Sequence, residues 1–175
     1  SAHCLDSLTK QSLPPDEIII VDNQSTDNTV KIIRQYQKHL PIRLVTQPVK
    51  GITPSLEKGW RLASGDIVIR TDADAIAPEY WIKNIIRHFN DHPQLAAVGG
   101  LWDSSDGSFL IKILIHYGLY FAEILNLLKY GYRQLWGCNM AIRLSALKKN
   151  RRLSDRRPPC FRRSSYCRQA SSTSF

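Results

Sequence analysis

The chain has 175 residues, 43% of them hydrophobic, which is enough for one domain with a real core. Its formal net charge of +9 is uneven: residues 1–150 hold 17 Lys and Arg against 14 Asp and Glu, whereas residues 151–175 hold 7 Arg against Asp155 alone. The four cysteines have no C-x-x-C spacing and no flanking His, which argues against a zinc site and a disulfide framework and favours a reducing, cytoplasmic setting. No basic stretch followed by an apolar run begins the sequence, so no signal peptide is expected.

The first half of the chain predicts alternating helices and strands. A helix is predicted over residues 2–10, with its apolar side chains on one side. Residues 17–22 contain a run of β-branched side chains, typical of a strand that is buried on both faces. The polar turn 23–28 supplies N-cap residues for a helix that reaches Leu40, and residues 42–46 form the next strand.

The pattern continues beyond residue 50. Residues 51–63 predict a loop and then a helix, which a strand ending at Asp72 follows. Pro78 is predicted to open a helix, and residues 95–101 form a further strand. This order predicts an α/β fold with a doubly wound, mostly parallel sheet and helices on both faces.

The stretch 65–75 predicts a short buried strand that ends in two carboxylates one residue apart. Residues i and i+2 leave a strand on the same side, so Asp72 and Asp74 can converge on one cation at the carboxyl edge of the sheet. Open α/β sheets bind their ligands at that edge. Carboxylates suit Mg²⁺ or Mn²⁺, which in turn hold the phosphate oxygens of a nucleotide diphosphate. The alternative is an ordinary solvated turn.

Residues 108–130 form a long apolar segment. Lys112, His116, Glu123 and Asn126 fall within roughly one quadrant of a helical wheel. A membrane-spanning helix is not expected, because Lys112 and Glu123 would each cost about 2.5–3.5 kcal/mol near the bilayer centre. Two interpretations stay open: a helix packed on the sheet, or a helix at the membrane interface or over a lipid-linked acceptor.

Residues 150–175 change character abruptly. They are rich in Arg and Ser, contain Pro158 and Pro159, and lack periodicity, which predicts a disordered basic tail after a domain at 1–149. The alternative function, from a different class, is nucleic-acid binding through this tail. It predicts an affinity for nucleic acid that falls steeply with salt and is lost when residues 151–175 are deleted. We do not expect it, because the Arg clusters have no aromatic platforms or folded frame.

Three blocks have the order and spacing of a known family. The first is CLDSL at 4–8 with Gln11 and EIIIVDNQSTDNT at 17–29; the second is Gly51, Gly59, ASGD at 63–66 and DAD at 72–74; the third is GCNMAIR at 137–143. Over residues 3–149 the chain resembles family 2 glycosyltransferases of the GT-A (Rossmann-like) fold. By that resemblance the fold is incomplete at both ends, because the family's first strand and its Glu-Asp segment with the catalytic base are missing.

The resemblance also assigns the binding residues. Asp22 would accept a hydrogen bond from an N–H of the nucleotide base, the alternative being a cap of the next helix, while Asp27 is interpreted as a structural cap. Asp72 would lie near the ribose and the metal, and Asp74 would ligate the metal directly. A bound Mn²⁺ or Mg²⁺ would act as a Lewis acid on the leaving diphosphate. Gly51 would let the backbone approach the nucleotide.

The implied reaction is an inverting, metal-dependent transfer of a sugar from a nucleotide diphosphate donor, UDP-linked, to a saccharide or lipid-linked hydroxyl. The setting would be the cytoplasm or the inner face of the membrane. Asp103 and Asp106 follow a strand but belong to a typical solvent turn, so the catalytic base stays unknown. We therefore expect a fragment that recognises the donor with weak or absent transfer, and a non-catalytic remnant is the alternative.

Three further side chains lie near the predicted cleft. Trp102 and Trp136 could stack on a sugar, although core packing is the ordinary role of each. Cys138 is interpreted as a small core residue. Residues 150–175 match nothing in the family and are interpreted as the product of a frameshift. This hypothesis predicts that another reading frame of the DNA after Lys149 encodes the missing Glu-Asp pair.

Overall fold

The computed structural model describes residues 2–100, 109–130 and 138–155. Helices and strands alternate along these ranges, which confirms the predicted α/β class. The elements are α1 (Ala2–Thr9), β1 (Ile18–Asp22), α2 (Thr29–Tyr36), β2 (Ile42–Thr46), α3 (Ile52–Leu62), β3 (Ile67–Thr71), α4 (Trp81–Asp91), β4 (Ala97–Gly99), α5 (Phe109–Tyr130), β5 (Asn139–Arg143) and α6 (Leu144–Asp155).

The described strands form two sheets. β1 and β2 pair in parallel, with Asp22 opposite Thr46 at their carboxyl ends. β5 lies between β3 and β4 and is antiparallel to both. β3 and β4 therefore run in the same direction, and β5 is an antiparallel strand that the β-α-β-α-β pattern does not predict. Within the described ranges β1 and β3 share no ladder.

Helices cover both faces of the β1–β2 sheet, as the sequence predicts. On one face Ile18 and Ile20 pack against a buried cluster from α1, α2 and the turn after α2, formed by Leu5, Leu8, Ile33 and Leu40. Val21 points to the other face, because successive side chains of a strand alternate. There α3 packs closely: a Cβ built on Gly59 would lie 3.5 Å from Cγ2 of Val21.

Gln11 joins α1 to the beginning of α4. Its side chain is buried, and Nε2 donates to the carbonyl oxygens of Ser7 at 3.1 Å and Pro78 at 2.8 Å. Oε1 accepts a hydrogen bond from the backbone N–H of Ile82 at 3.1 Å. The side chain therefore satisfies three backbone groups at the junction between the two sheets.

Glu17 connects the amino ends of β1 and β3. Its Oε1 accepts hydrogen bonds from the backbone N–H of Ser64 at 2.7 Å, the Ser64 hydroxyl at 2.8 Å and the backbone N–H of Gly65 at 3.3 Å. These bonds hold the pKa of Glu17 below its usual value, the backbone bond from Ser64 being the largest cause. The two strands consequently begin beside each other.

Several predicted boundaries differ from the observed ones. α2 ends at Tyr36 and not at Leu40, because residues 37–39 form turns. α4 begins at Trp81, since Pro78 belongs to a turn that the Trp81 N–H closes at 3.0 Å. β3 ends at Thr71, one residue before its predicted end at Asp72.

The C-terminal part also departs from the predicted boundary. α6 continues through Asp155, so the first six residues of the predicted disordered tail are helical. Residues 156–175 lie outside the described residues. The same holds for Trp102, Asp103, Asp106 and Trp136, so the structure says nothing of the roles suggested for them.

Candidate functional site

Asp22 is a buried carboxylate at the carboxyl end of β1, with 8% of its surface exposed. Its Oδ1 accepts a hydrogen bond from the backbone N–H of Ser25 at 3.1 Å. This bond shapes the loop after β1, in which Gln24 has a φ of 62°. Within the described residues Oδ2 accepts no hydrogen bond, although buried polar atoms are normally satisfied. An ionised carboxylate oxygen accepts hydrogen bonds from N–H donors.

Asp27, and not Asp22, holds the beginning of α2. Its Oδ1 accepts a hydrogen bond from the backbone N–H of Thr29 at 2.9 Å, and bonds to Thr29 hold the pKa of Asp27 below its usual value. The structural role predicted for Asp27 is thereby confirmed. The alternative that Asp22 caps this helix does not hold, because its bond goes to Ser25, four residues before α2 begins.

Asp72 and Asp74 lie in a turn directly after β3. The N–H of Ala75 closes this turn on the Asp72 carbonyl at 3.2 Å, so the argument from strand alternation does not apply to the pair. Their carboxylates nevertheless act on the same neighbour. Burial raises the pKa of the Cys138 thiol, and the charges of Asp72 and Asp74 raise it further. Both carboxylates therefore act electrostatically on Cys138, which directly precedes β5.

Arg70 is the cation beside this pair. Its Nη2 lies 3.4 Å from Oδ1 of Asp72, whose side chain is 48% exposed, and it offsets part of the effect of the carboxylates on Cys138. Asp74 is exposed. One carboxylate is thus partly neutralised, while the other faces solvent.

Two thiols flank the acidic turn. Sγ of Cys4 donates to the backbone carbonyl of Asp72 at 3.6 Å, and Cys138 is half-buried. Burial is the largest cause that raises the pKa of Cys4, and Asp74 adds to it. Both groups stay protonated at neutral pH, so they add no negative charge. Cys138 is half-buried beside the charges of the acidic turn, and its interpretation as a small core residue stays a prediction.

The acidic turn has the donor set of a hard-cation site. Mg²⁺ and Mn²⁺ prefer oxygen ligands, and Mg²⁺ is commonly held by one or two carboxylates with water and substrate phosphates. Asp72 and Asp74 fit this pattern. Across 2–100, 109–130 and 138–155 no three His, Cys, Asp or Glu side chains form a group that could hold a metal. Water and diphosphate oxygens would therefore complete the coordination.

Gly51 stands between β2 and α3 with a φ of +133° and a ψ of 157°, a conformation that is essentially restricted to glycine. Its N–H donates to Oδ1 of Asn23 at 2.8 Å. The amide is consequently engaged within the protein, and any approach of this backbone to a nucleotide depends on the shape of the loop. Asn23 was not predicted as a site residue, although its position directly after the Asp that ends a strand is a signal of such a role.

Asn139 lies at the same edge as the acidic turn. It faces Thr71 in the β3–β5 ladder, and its Oδ1 accepts a hydrogen bond from Nε1 of Trp81 at 3.0 Å. Gly100 approaches this side chain so closely that a Cβ there would lie 2.3 Å from Nδ2 of Asn139. The third sequence block therefore pairs with β3, the strand that Asp72 directly follows.

α5 exposes large apolar side chains. Tyr117 is 67% exposed, Phe121 61% and Leu128 78%. Other exposed members of this face are Ile113, Tyr120, Ile124, Leu125 and Leu127. At 100° per residue they occupy a continuous arc of roughly 160°. None of the described helices has the length and apolar character needed to cross a membrane.

Comparison with known proteins identifies relatives for most of the chain. The family model described as Glycosyl transferase family 2 matches residues 2–151. The Poly-beta-1,6-N-acetyl-D-glucosamine synthase of Staphylococcus epidermidis is 35% identical over 101 residues, which is 55% of this chain and 24% of the synthase. The chain therefore spans about a quarter of that relative.

Solved structures share the fold. The mannosyltransferase PcManGT from Pyrobaculum calidifontis, in complex with GDP-Man and Mn²⁺, superposes with a TM-score of 0.64 at 26% identity, covering 84% of this chain and 41% of that protein. S. aureus TarS 1-349, in complex with UDP-GlcNAc, gives a TM-score of 0.58 at 20% identity, covering 84% and 42%. These similarities confirm the predicted GT-A fold.

Proposed function

Because the chain belongs to glycosyl transferase family 2, we propose that it forms the donor-binding part of an enzyme that transfers a sugar from a UDP-linked donor to a hydroxyl group of a saccharide or lipid-linked acceptor. The observation that carries this proposal is the position of three carboxylates. Asp22 ends β1, and Asp72 and Asp74 directly follow β3. Ligands of open α/β sheets bind outside the carboxyl ends of the strands.

Each carboxylate would have its own task. The open Oδ2 of Asp22 would accept a hydrogen bond from the base, and uracil offers one ring N–H for it. Asp72 and Asp74 would hold a divalent cation and, through it, the diphosphate. That cation would supply Lewis-acid neutralisation of the leaving group. The Mn²⁺ of PcManGT, a relative 26% identical to this chain, supports such a cofactor.

By resemblance the base for the acceptor hydroxyl belongs to a Glu-Asp segment, which has no match among the described residues. A positioned general base contributes about 10²–10⁴-fold to the rate of such a reaction. We therefore propose that this chain binds the donor and transfers the sugar weakly or not at all. Hydroxyl activation would need a group outside the described residues.

Isothermal titration with UDP, with and without Mn²⁺, tests donor binding directly. We expect the wild-type chain to bind UDP at least about tenfold more tightly with Mn²⁺, and Asp72→Asn and Asp74→Asn to lose this gain. Asp66→Asn is the matched control, because Asp66 is an exposed carboxylate before β3, at the other end of the same strand. Equal affinity in EDTA, or an equal loss in the control, would contradict the proposal.

The apolar face of α5 supports contact with an anionic lipid surface, at the inner face of the membrane. The aromatic side chains of Tyr117 and Phe121 and the aliphatic side chain of Leu128 are exposed on one arc without an intervening described charge. The formal net charge of +9 favours an anionic leaflet over a neutral one. A lipid-linked acceptor would be reached from the same surface.

Co-sedimentation with phosphatidylglycerol-containing vesicles tests this contact. Wild-type chain should pellet with these vesicles and less with pure phosphatidylcholine, and Phe121→Glu with Leu128→Glu should remain in the supernatant. Gln35→Glu on the exposed side of α2 is the control with added negative charge. Vesicle binding that survives both α5 substitutions would contradict the proposal, as would a dimer that buries α5 in sedimentation velocity.

A further inference from the structure

We propose that Asn23 is a positioning residue of the donor site, which fixes the segment 47–51 beside Asp22 and so shapes the wall that the nucleotide contacts. This inference rests on the proposed function, because it assigns a role in donor binding. It concerns the segment that leads from β2 to α3, named here the β2–α3 loop and defined as residues 47–51.

The carboxamide of Asn23 makes three hydrogen bonds to this loop. Nδ2 donates to the carbonyl oxygen of Gln47 at 2.7 Å and of Val49 at 2.9 Å, and Oδ1 accepts from the N–H of Gly51 at 2.8 Å. Two donors and an acceptor on one short planar group are a property of the asparagine side chain. An aspartate here would keep the acceptor but would turn oxygen lone pairs toward two carbonyl oxygens.

The other contacts that hold the β2–α3 loop are also polar, including a bond within it from the Val49 N–H to Gln47 Oε1 at 3.2 Å and one from the Ser55 hydroxyl to the Gly51 carbonyl at 3.0 Å. Val49 is 59% exposed, and Pro48 and Lys50 are also exposed, so the loop contributes no apolar anchor to the core. Gln47 adds polar bonds: its N–H donates to the Asp22 carbonyl at 2.8 Å, and its Nε2 donates to the Pro54 carbonyl at 3.1 Å. Hydrogen bonds to Asp22 and Asn23 therefore fix the loop to the end of β1, while those to Pro54 and Ser55 fix it to α3.

This arrangement couples the loop to the carboxylate that would bind the base. Asp22 and Asn23 are adjacent at the end of β1, and the Asp22 carboxylate is buried while the Asn23 amide reaches the loop. The loop also contacts Asp22 itself, because the Gln47 N–H donates to the Asp22 backbone carbonyl at 2.8 Å, so a displacement of the loop would change the surroundings of this residue. The N–H of Gly51 is used by Asn23, so the loop acts on a nucleotide through its position and not through that donor.

Asn23→Asp and Asn23→Ala test the role, with Asn28→Asp as the matched control. Asn28 is an exposed asparagine of the same polar turn, and its side chain makes no capping hydrogen bond to α2. Three quantities are measured on the full chain: UDP affinity by calorimetry with Mn²⁺, Mn²⁺ affinity without nucleotide by electron paramagnetic resonance, and exchange of the Gly51 amide by NMR.

We expect both Asn23 variants to bind UDP at least about tenfold more weakly while Mn²⁺ affinity changes less than twofold. The Gly51 amide should exchange faster in Asn23→Ala, which lacks the acceptor, than in Asn23→Asp. The control should behave as wild type in all three measurements. A loss of UDP affinity with retained Mn²⁺ affinity would show that Asn23 positions the loop. General destabilisation of the fold would instead lower both affinities.

Two outcomes overturn the inference in distinguishable ways. If the wild-type chain binds UDP and both Asn23 variants bind it equally well, the loop does not shape the donor site, and the proposed function survives. If the wild-type chain binds no UDP, the proposed function fails and this inference fails with it. A parallel loss of UDP and Mn²⁺ affinity would reduce Asn23 to a folding role and would also overturn the inference.

Discussion

At the scale of single residues, Gly100 and Asn139 form the closest approach near the acidic turn. The absent Cβ of Gly100 leaves space for the Asn139 amide, which accepts the indole hydrogen bond of Trp81 at 3.0 Å. We expect Gly100→Ala to displace this amide and to lower the free energy of unfolding by about 1 kcal/mol, the worth of one hydrogen bond. Urea unfolding measures the change.

Gly118→Ala is the control for this substitution. A Cβ on Gly118, within α5, would meet no atom within 4 Å, and alanine has the higher helix propensity. We expect this variant to be as stable as wild type or slightly more stable. Equal unfolding curves for the two alanine variants would contradict the account of Gly100.

Single residues also mark how far the sequence predicts the site. The strand-end positions of Asp22, Asp72 and Asp74 can be predicted, because the sequence itself shows carboxylates after runs of β-branched residues. The residues that contact the site cannot be predicted in this way. The bonds from Asn23 to the β2–α3 loop join residues 24 to 28 positions apart, and the effect of Asp72 on Cys138 depends on the pairing of β3 with β5.

At the scale of elements, Arg143 ties the end of β5 to α4. Nε donates to the Leu95 carbonyl at 2.9 Å and Nη2 to the Phe89 carbonyl at 3.0 Å, and the guanidinium lies 4.9 Å from the centre of the Phe89 ring. Lysine cannot reproduce this planar fork. We expect Arg143→Lys to lower the free energy of unfolding by about 1–3 kcal/mol.

Thermal and urea unfolding, with amide exchange in the last turn of α4, measure this loss. Arg87→Lys is the matched control, since Arg87 is exposed on the same helix. Should both lysine variants unfold at the same denaturant concentration, the bridge from Arg143 contributes nothing measurable.

Elements differ in how well the sequence predicts them. β1 and β2 carry runs of β-branched and aliphatic residues between turn residues, and β2 has its predicted bounds of 42–46. β5 has the sequence NMAIR, in which Ile142 is the single β-branched residue, so local propensity does not indicate a strand. Its place between β3 and β4 depends on long-range pairing, which local patterns do not contain.

At the scale of the whole molecule, Glu17 couples the beginnings of the two sheets and makes stability depend on pH. Its folded pKa is lowered from a usual value of 4.5 by the hydrogen bonds from Ser64 and Gly65. The stabilisation is therefore complete above that value and is lost as the pH falls through the lower folded pKa. Wild-type chain should consequently lose stability in acid more steeply than Glu17→Gln.

Unfolding curves at several values between neutral pH and about pH 3 measure this difference. The advantage of wild type over Glu17→Gln should be largest near neutrality and should shrink in acid. Glu79→Gln, at an exposed carboxylate, is the control and should run parallel to wild type. A Glu17→Gln curve that also runs parallel to wild type across the range would contradict the coupling.

The separation of the described strands into two sheets has a practical consequence for the purified chain. β1 is paired with β2 and β3 with β5, and neither has a described strand on its other side. Such rims can template an incoming extended peptide from a neighbouring molecule. Light scattering should therefore rise more steeply than in proportion to protein concentration, and a strictly proportional signal would show that these rims are protected. Binding measurements should then be repeated at low protein concentration, or with a short peptide that pairs with the rims. Equal affinities under these conditions would show that the measurements report single molecules.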